Sequence, residues 1–341
     1  MKSLILFVSA IVFVSPALAE TATREILAAA MASDHPVIVA ARDSAGTIDV
    51  ESGIDVKVAG ADEIVDIGSI TKTVTAIAVI HLIEDMGMTT QTTLSQLLPN
   101  VPRDKAEITL HQLLTHTSGI IESTGDDEEK LSRSAFLERV FEAPLDAEPG
   151  AVHSYSNAGY SILAAIIELQ SGLDYEGYLI ERVIPKGLDP IGYGQAYDQD
   201  RSIISKRLWL TGYQRLHVAE ASWGGSAPGW NLVGNGGLVT TAEGFLSFWA
   251  AFLDGEIVGE DYVAAALVPH VDEGEGDTFY GYGLVVEPLD DGGLLFWHNG
   301  GNDIFSAEWR HHTSSGTTFF SAGTGESAFE AMASIVKNIR S

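Results

Sequence analysis

Two short apolar segments near the start of the chain are rich in β-branched residues. They are "PVIVAARD" (36–43) and "TIDVESGI" (47–54), and a short "SAG" turn separates them. This pattern is typical of β-strands, so the pair is predicted to form a hairpin. An Ala-rich periodic segment before them, Thr21 to Ser33, is predicted to be the first helix.

A different period follows the hairpin and indicates a helix. Apolar or half-polar residues recur at intervals of three and four, at Val74, Ile77, Ala78, His81 and Leu82. These positions share one helical face, and Gly87 is predicted to end the helix.

The middle of the chain, from about Met88 to Gly234, contains short helix-like segments that Gly and Pro interrupt. Within it, "GDDEEK" (125–130) is predicted to be a solvated loop. A further helix follows in "TTAEGFLSFWAAFLDG", with Thr240 or Thr241 as its N-cap. Strand patterns return from about Phe279, and "AFEAMASIVKNIR" is predicted to close the chain as an amphipathic helix.

Strand-like segments therefore occupy both ends of the chain, and helices occupy the middle. This order predicts an α/β fold of the α+β type, in which a mainly antiparallel sheet is flanked by helices and carries an inserted all-helical subdomain. Residues 20–87 and 235–341 are expected to form the sheet domain, and residues 88–234 the helical subdomain.

The first 19 residues, "MKSLILFVSAIVFVSPALA", have one Lys, a short apolar stretch and an Ala-Leu-Ala end. These features predict a secretory signal peptide that is cleaved near Ala19–Glu20, and hence a periplasmic or secreted protein. No later run approaches the roughly 20 apolar residues that a membrane span requires, so none is expected.

Composition narrows the possible partners. The 341 residues include 19 Lys and Arg against 47 Asp and Glu, a formal charge of −28, and no Cys. Such a surface repels polyanions, so no nucleic acid partner is expected. The absence of Cys excludes disulfides and thiolate metal sites, and no His-Glu-x-x-His motif, P-loop or dinucleotide fingerprint occurs. No metal and no cofactor are therefore predicted.

Ser69 and Lys72 are the first candidates for chemistry, because Lys72 is three positions after Ser69 at the predicted start of the helix that contains Val74. Residues at this spacing share a helical face, and a buried Lys loses part of its affinity for a proton. Such a Lys can act as the base that activates a Ser hydroxyl. A capping Ser beside a Lys that extends to solvent is the alternative. A second Ser-x-x-Lys, Ser334 and Lys337, lies in the final helix and is interpreted as a pair of surface residues without a catalytic role.

Two further segments carry candidate site residues. In "HSYSNAGYS" (153–161), Tyr155 is placed to relay protons beside a cationic Lys, and Asn157 can bind a substrate amide or simply cap the next helix. In "FWHNGGNDIF" (296–305), a predicted strand ends in His298, Asn299, Gly300 and Gly301. Glycines at a strand edge allow a substrate backbone to approach closely, although a plain turn would use the same residues.

The three segments together resemble the penicillin-recognising serine hydrolases, which include class C β-lactamases, D,D-carboxypeptidases and related esterases. The family motifs are Ser-x-x-Lys, Tyr-x-Asn, and Lys-Thr-Gly or His-x-Gly. They are matched in this order by Ser69-Ile70-Thr71-Lys72, Tyr155-Ser156-Asn157 and His298-Asn299-Gly300. "LLTHTSGI" (113–120) and "GNGGLVTTAEGFLSFW" (234–249) also look like family segments.

The resemblance implies that Ser69 is the acylated nucleophile and that Lys72 and Tyr155 handle protons. It implies that Asn157 holds Lys72 and the substrate amide, and that the N–H groups of Ser69 and Gly301 form an oxyanion hole. His298 replaces the Lys of Lys-Thr-Gly, which disfavours an anionic β-lactam, because a neutral His offers no charge to its carboxylate.

The leading hypothesis is therefore an exported serine hydrolase that acts on an ester or a peptide-like amide, of the esterase or D-amino-acid peptidase type. A true β-lactamase or D,D-carboxypeptidase is the alternative within the same class. A catalytically silent binder of cell-wall peptide is the alternative from another class.

Overall fold

The computed structural model describes residues 37–52, 64–193, 223, 227–274 and 276–340. The predicted signal peptide and the helix predicted over Thr21–Ser33 lie outside these residues. The division of the chain into a sheet domain and a helical subdomain at the stated boundaries stays a prediction.

A large antiparallel sheet forms the frame of the molecule. Its eight strands have the order β2-β1-β10-β9-β8-β7-β6-β5. In chain order they are β1 (Val37–Arg42), β2 (Ile48–Ser52), β5 (Val271–Asp272), β6 (Phe279–Tyr280), β7 (Val285–Pro288), β8 (Leu294–Gly301), β9 (Phe305–His312) and β10 (Thr317–Thr324). Two short strands, β3 (Ile64–Asp66) and β4 (Val239–Thr241), pair separately.

Nine helices are present among the described residues. They are α1 (Thr71–Met86), α2 (Leu94–Leu97), α3 (Leu110–Leu114), α4 (Arg133–Glu142), α5 (Asn157–Ser171), α6 (Tyr175–Tyr178), α7 (Ala242–Leu253), α8 (Glu260–Ala266) and α9 (Ser327–Arg340). A π-helical turn, Leu179–Val183, extends α6. The predicted fold class is confirmed: helices flank a mainly antiparallel sheet, and a run of helices is inserted between its terminal parts.

Helices cover both faces of the sheet because its central strands are apolar on both sides. On β1, Val37 and Val39 pack against Met332 and Ile335 of α9. Ile38 and Ala40 point to the opposite face and join the main core. There, Trp309 of β9 packs against Trp249 and Phe245 of α7, with ring centroids 4.4 Å and 5.6 Å apart. Strand residues buried on both faces explain why plain alternation is weak in these segments.

Helix α1 ends where predicted, since Gly87 adopts a left-handed φ of 63° at its C-cap. Its burial differs from the prediction, however. Every residue from Thr71 to Ile80 is buried, so the first turns contact protein on all sides and not along one face. A helix that is apolar all round lies in the interior, and α1 therefore positions its first residues deep in the molecule.

Candidate active site

Ser69 lies in a single 3-10 turn, Gly68–Ile70, directly before α1. Gly68 adopts a φ of 51°, in the left-handed region. A side-chain carbon at Gly68 would lie 2.4 Å from the Gly301 nitrogen, at the end of β8. Glycine is therefore required at this turn, and its absence of a side chain brings Ser69 against the strand end.

Lys72, one helical turn later, is fully buried, and its Nζ atom contacts Ser69. Nζ lies 3.0 Å from Ser69 Oγ, and it donates a hydrogen bond to the backbone oxygen of Asn235 at 2.8 Å. The alternative of a Lys that extends to solvent is thus excluded. Because a carbonyl only accepts, the Asn235 bond takes an N–H and leaves the Nζ lone pair of a neutral amine free to face the Ser69 hydroxyl.

Asn235 is a site residue that sequence reasoning missed. Its side chain is buried and donates to Ser161 Oγ at 2.8 Å and to the Asn231 oxygen at 2.7 Å. Gly234 and Gly237, beside it, have left-handed φ values of 80° and 75°. The only signal in the sequence was "GNGG", whose glycines permit the turn that directs the Asn235 carbonyl at Lys72.

Burial lowers the pKa of Lys72 well below its usual value, and nearby Asp127 and Glu122 oppose the shift by favouring the ammonium. Asp127 belongs to the "GDDEEK" segment, which was predicted to be a solvated loop. The segment is a loop of turns and bends, and most of its residues are exposed. Asp127 is only partly exposed, and its pKa is raised, chiefly by desolvation. Desolvation dominates at Lys72, so the amine is poised to accept a proton.

Tyr155 approaches the same pair from the turn before α5. Its hydroxyl forms a hydrogen bond with the Ser69 side chain, and Lys72 Nζ lies 4.7 Å from the centre of its ring. Desolvation raises the pKa of Tyr155, although 36% of the residue surface faces the cleft, and the bond to Ser69 only partly offsets this. Ionisation of the Tyr155 phenol is therefore not favoured, and Tyr155 is a neutral proton donor.

Asn157 is the first residue of α5, but Ser156 caps the helix, because Ser156 Oγ accepts from the Gly159 N–H at 2.9 Å. The capping role considered for Asn157 is thus taken by its neighbour. Asn157 Oδ1 is buried and accepts no hydrogen bond from any residue that the structure describes. The residue does not make either of the two bonds that hold Lys72 Nζ, which reach Ser69 and Asn235.

The His298 side chain is buried, and its imidazole ring is neutral. Its Nδ1 lies 2.6 Å from the Asn299 oxygen, so Nδ1 carries the proton, and Nε2 accepts from the Tyr280 hydroxyl at 3.2 Å. Burial, helped by the charge of Lys72, lowers the pKa of His298 to about 3. His298 therefore presents no positive charge at neutral pH, where the related motif has a Lys.

Gly300 and Gly301 bring the end of β8 into backbone contact with the Ser69 turn. A side-chain carbon at Gly300 would lie 2.2 Å from the Ser69 nitrogen. Pairing with β7 stops at Trp297, so within the described chain no strand covers β8 from His298 to Gly301 on that edge. The N–H groups of Ser69 and Gly301 thus lie on adjacent segments, as an oxyanion hole requires.

We expect Gly300→Ala to lower kcat/KM by about 10²- to 10³-fold, the usual cost of losing one oxyanion donor, because the added methyl must displace the Ser69 turn. Steady-state hydrolysis of an ester, with Tm as a check on folding, measures this. Gly259→Ala is the matched control, since its added carbon would meet the flexible end of Glu84 at 3.0 Å and make an ordinary contact with the Tyr262 side chain at 3.9 Å. Equal rates for the two variants would contradict the role of this contact.

A cleft of about 550 Å³ opens over these residues and is lined by Ser69, Tyr155, His298, Asn299, Gly300 and Gly301. Trp297, Phe305 and Phe329 supply apolar wall, and Glu273, Asp303 and Glu326 supply carboxylates. Among the residues that the structure describes, no Lys or Arg lines this cleft. Within the described ranges, no group of three His, Cys, Asp or Glu could hold a metal ion, and none of the helices combines the length and apolarity that a bilayer crossing needs.

The fold and the site define a serine hydrolase of the β-lactamase type, and comparison with known families agrees. The Beta-lactamase family model matches residues 17–330, almost the whole chain. The chain belongs to this family. The resemblance read from the three motifs is thereby confirmed.

Individual relatives share low sequence identity with this chain. Penicillin-binding protein 4 of Amycolatopsis lactamdurans is 27% identical over 181 residues, which cover 50% of this chain and 45% of that protein. Esterase EstB of Burkholderia gladioli is 30% identical over 169 residues, covering 44% and 42%. The chain spans about half the length of the curated relatives it matches.

Among solved structures, D-amino acid amidase from Ochrobactrum anthropi, in complex with D-phenylalanine, superposes with a TM-score of 0.75. The two chains are 18% identical, and the match covers 94% of this chain and 99% of the amidase. At this identity the likeness concerns the fold, which the two proteins share over nearly their full length.

Proposed function

We propose that the protein is an exported serine hydrolase that works through an acyl-enzyme on an ester or a peptide-like amide, of the esterase or D-amino-acid peptidase type. The observation that carries this proposal is the 3.0 Å approach of Lys72 Nζ to Ser69 Oγ at a helix start, with the Tyr155 hydroxyl bonded to the same serine. A nucleophile, a base and a proton donor thus meet at one oxygen.

In the first half of the reaction, Ser69 Oγ attacks the substrate carbonyl while its proton passes to the neutral Lys72 amine. The negative charge that develops on the carbonyl oxygen is stabilised by the N–H groups of Ser69 and Gly301. The carbonyl–heteroatom bond then breaks, and the leaving group takes the proton of the Tyr155 hydroxyl. The Lys72 ammonium returns a proton to Tyr155, so Lys72 ends this half neutral again.

The second half repeats these steps with water as the nucleophile. Water attacks the acyl-enzyme carbonyl and gives a proton to the restored base, and Ser69 leaves with a proton. The acid product departs and the free enzyme is regenerated. Each proton transfer uses groups whose burial already favours the required form: Lys72 without its extra proton and Tyr155 with its own.

Charge around the cleft supports a substrate that is cationic or neutral. Glu273, Asp303 and Glu326 line the walls, and His298 adds no compensating charge. Such a surface attracts an ammonium and repels a carboxylate. A β-lactam or a D,D-peptide presents a carboxylate, whereas an amino acid amide or ester with a free amino group presents a cation.

We expect D-phenylalanine amide to be hydrolysed with a kcat/KM about tenfold or more above that of its N-acetyl derivative. About 1.4 kcal/mol of attraction between the ammonium and the cleft carboxylates is enough for this factor. The preference should shrink as ionic strength rises, because salt screens charges near the surface. Ammonia release measured at low and high salt tests the expectation.

A wider substrate panel separates the proposed function from its alternatives. Besides the two amides, it contains a p-nitrophenyl ester, a chromogenic cephalosporin and a peptide ending in D-Ala-D-Ala. Faster turnover of the cephalosporin or of the D-Ala-D-Ala peptide than of ester and amide would contradict the proposed type and favour a β-lactamase or a D,D-carboxypeptidase. No turnover of any of them would favour a silent binder.

Export is part of the proposal and rests on the sequence of residues 1–19. Expression of the full chain in a bacterial host, followed by fractionation and N-terminal sequencing, tests it. We expect mature protein outside the cytoplasm that begins at Glu20. Retention of the intact N-terminus in the cytoplasm would contradict export and leave the hydrolase proposal untouched.

A further inference from the structure

His116 lies directly after α3, in the "LLTHTSGI" segment, and has no role in the reaction proposed above. It is 1% exposed, and its φ of 56° is left-handed. Among the described residues, only Asn100 shares this conformation without being glycine. Such backbone is uncommon for any residue other than glycine, although His adopts it more often than most, so its presence in the interior calls for a reason.

Two hydrogen bonds tie His116 to the backbone on both sides of Tyr155. The Ser154 N–H donates to the His116 carbonyl at 2.8 Å. The Ser156 N–H donates to His116 Nδ1 at 3.0 Å. His116 therefore holds residues 154–156, with Tyr155 at their centre, at two points.

The imidazole ring also contacts the phenol ring itself. The ring centroids of His116 and Tyr155 are 4.4 Å apart, with an angle of 34° between the planes. Other neighbours of the His116 ring are aromatic as well, since the ring centroids of Tyr160 and Tyr280 lie 4.9 Å and 4.7 Å from that of His116. His116 thus fills the space behind the Tyr155 ring and limits its rotation.

The hydrogen bond from Ser156 determines the protonation of His116. A backbone N–H can only donate, so Nδ1 must keep its lone pair, and the proton of the neutral ring is on Nε2. Nε2 is buried and has no hydrogen-bond partner among the described residues. Burial lowers the pKa of His116 further, assisted by the charge of Lys72, so the ring stays in this acceptor form.

We propose that His116 is the positioning residue of Tyr155. Its carbonyl and Nδ1 hold residues 154–156 in place, and its ring holds the phenol ring. The Tyr155 hydroxyl therefore stays hydrogen-bonded to Ser69. The inference rests on the proposed role of Tyr155 as proton donor to the leaving group. His116 itself does not touch Ser69 and takes no proton in the reaction. A left-handed His at this point supplies an acceptor and a flat surface together, which explains why the strain is retained.

Two substitutions test the inference. In His116→Asn, Oδ1 occupies the place of Nδ1 and keeps the acceptor, and Asn tolerates a left-handed φ. In His116→Leu, bulk remains but the acceptor is lost. We expect His116→Leu to lower kcat/KM for an amide or alkyl ester about 10- to 100-fold, part of the 10²- to 10⁴-fold that general acid–base catalysis supplies. We expect His116→Asn, which keeps the acceptor but loses the ring surface, to lose less, about fivefold.

The leaving group provides a readout that a purely structural role would not move. A p-nitrophenolate departs without a proton, so its ester should lose at most about threefold in His116→Leu. Fluorophosphonate labelling of Ser69 should continue, because Ser69 and Lys72 are unchanged. If His116→Leu does not fold, His116→Ser replaces it, since the shorter hydroxyl cannot reach the Ser156 N–H.

Equal losses on the p-nitrophenyl ester and the amide, with labelling intact, would overturn the inference. Unchanged rates on both would overturn it too. Failure of the underlying function has a different signature, in which Ser69→Ala hydrolyses the substrates as well as the native protein does. The two failures are therefore distinguished by assaying the Ser69 and His116 variants on the same substrates.

Discussion

Ser69→Ala is expected to lower hydrolysis of every substrate by about 10⁴-fold or more, the scale seen when a serine hydrolase loses its nucleophile. No other hydroxyl bonded to Lys72 can take over, because Nζ is committed to Ser69 and to the Asn235 carbonyl. Tm should change little, since the substitution removes one oxygen at the cleft. Steady-state kinetics on an ester and an amide measure the loss.

The chain supplies a matched control in its second Ser-x-x-Lys pair, Ser334 and Lys337 on α9. Lys337 is exposed there, and neither residue lines the cleft. Ser334→Ala should therefore retain full activity. Similar activity in the Ser69→Ala and Ser334→Ala variants would contradict the assignment of Ser69 as the nucleophile.

Lys72→Met is the second large effect, with an expected fall in kcat/KM of about 10³-fold or more, because Ser69 would lose its base and Tyr155 its source of a returning proton. Met approximates the volume of the Lys stem without the amine. Fluorophosphonate labelling of Ser69 should slow in parallel. Lys337→Met is the control, and normal labelling in Lys72→Met would contradict the role of the amine.

Lys72 should also leave a signature in the pH dependence of stability. Its pKa is lowered in the folded protein, whereas in the unfolded chain it is about 10.4. Between these two values the unfolded state binds a proton that the folded state does not, so stability rises with pH. The free energy of unfolding of the native protein minus that of Lys72→Met should rise by up to about 1.4 kcal/mol per pH unit in this window.

Chemical denaturation at several pH values up to about 9.5 measures that difference. A difference that is flat or falls with pH would mean that Lys72 keeps its proton when folded. In that case Lys72 could not accept the Ser69 proton near neutral pH. The groups common to both proteins cancel in the subtraction, so Lys72 is isolated.

Much of the fold was predictable because it follows from local patterns. The period of α1, its end at Gly87 and the hairpin of β1 and β2 are properties of neighbouring residues. The burial of α1 on all sides was not predictable from its period, since it depends on the elements packed around it. The same holds for Asp127, whose charged segment gave no sign of its proximity to Lys72.

The candidate site also contains some residues that the sequence predicted and others that it did not. Motif spacing identified Ser69, Lys72 and Tyr155, because those roles depend on side-chain type. Asn235 acts through a backbone carbonyl 163 residues from Lys72, and any residue type could supply that atom. His116 acts through a tertiary contact with the segment of Tyr155, 40 residues further on in the case of Ser156. Such contacts exist only once the chain has folded.

Detection of the covalent intermediate tests the central claim most directly. The native protein is mixed with a slowly hydrolysed ester, quenched in acid within the first turnovers, and examined by intact mass and peptide mapping. The account predicts one added acyl group, located on Ser69 and absent from Ser69→Ala. Turnover without any adduct, or an acyl group on another residue, would contradict it.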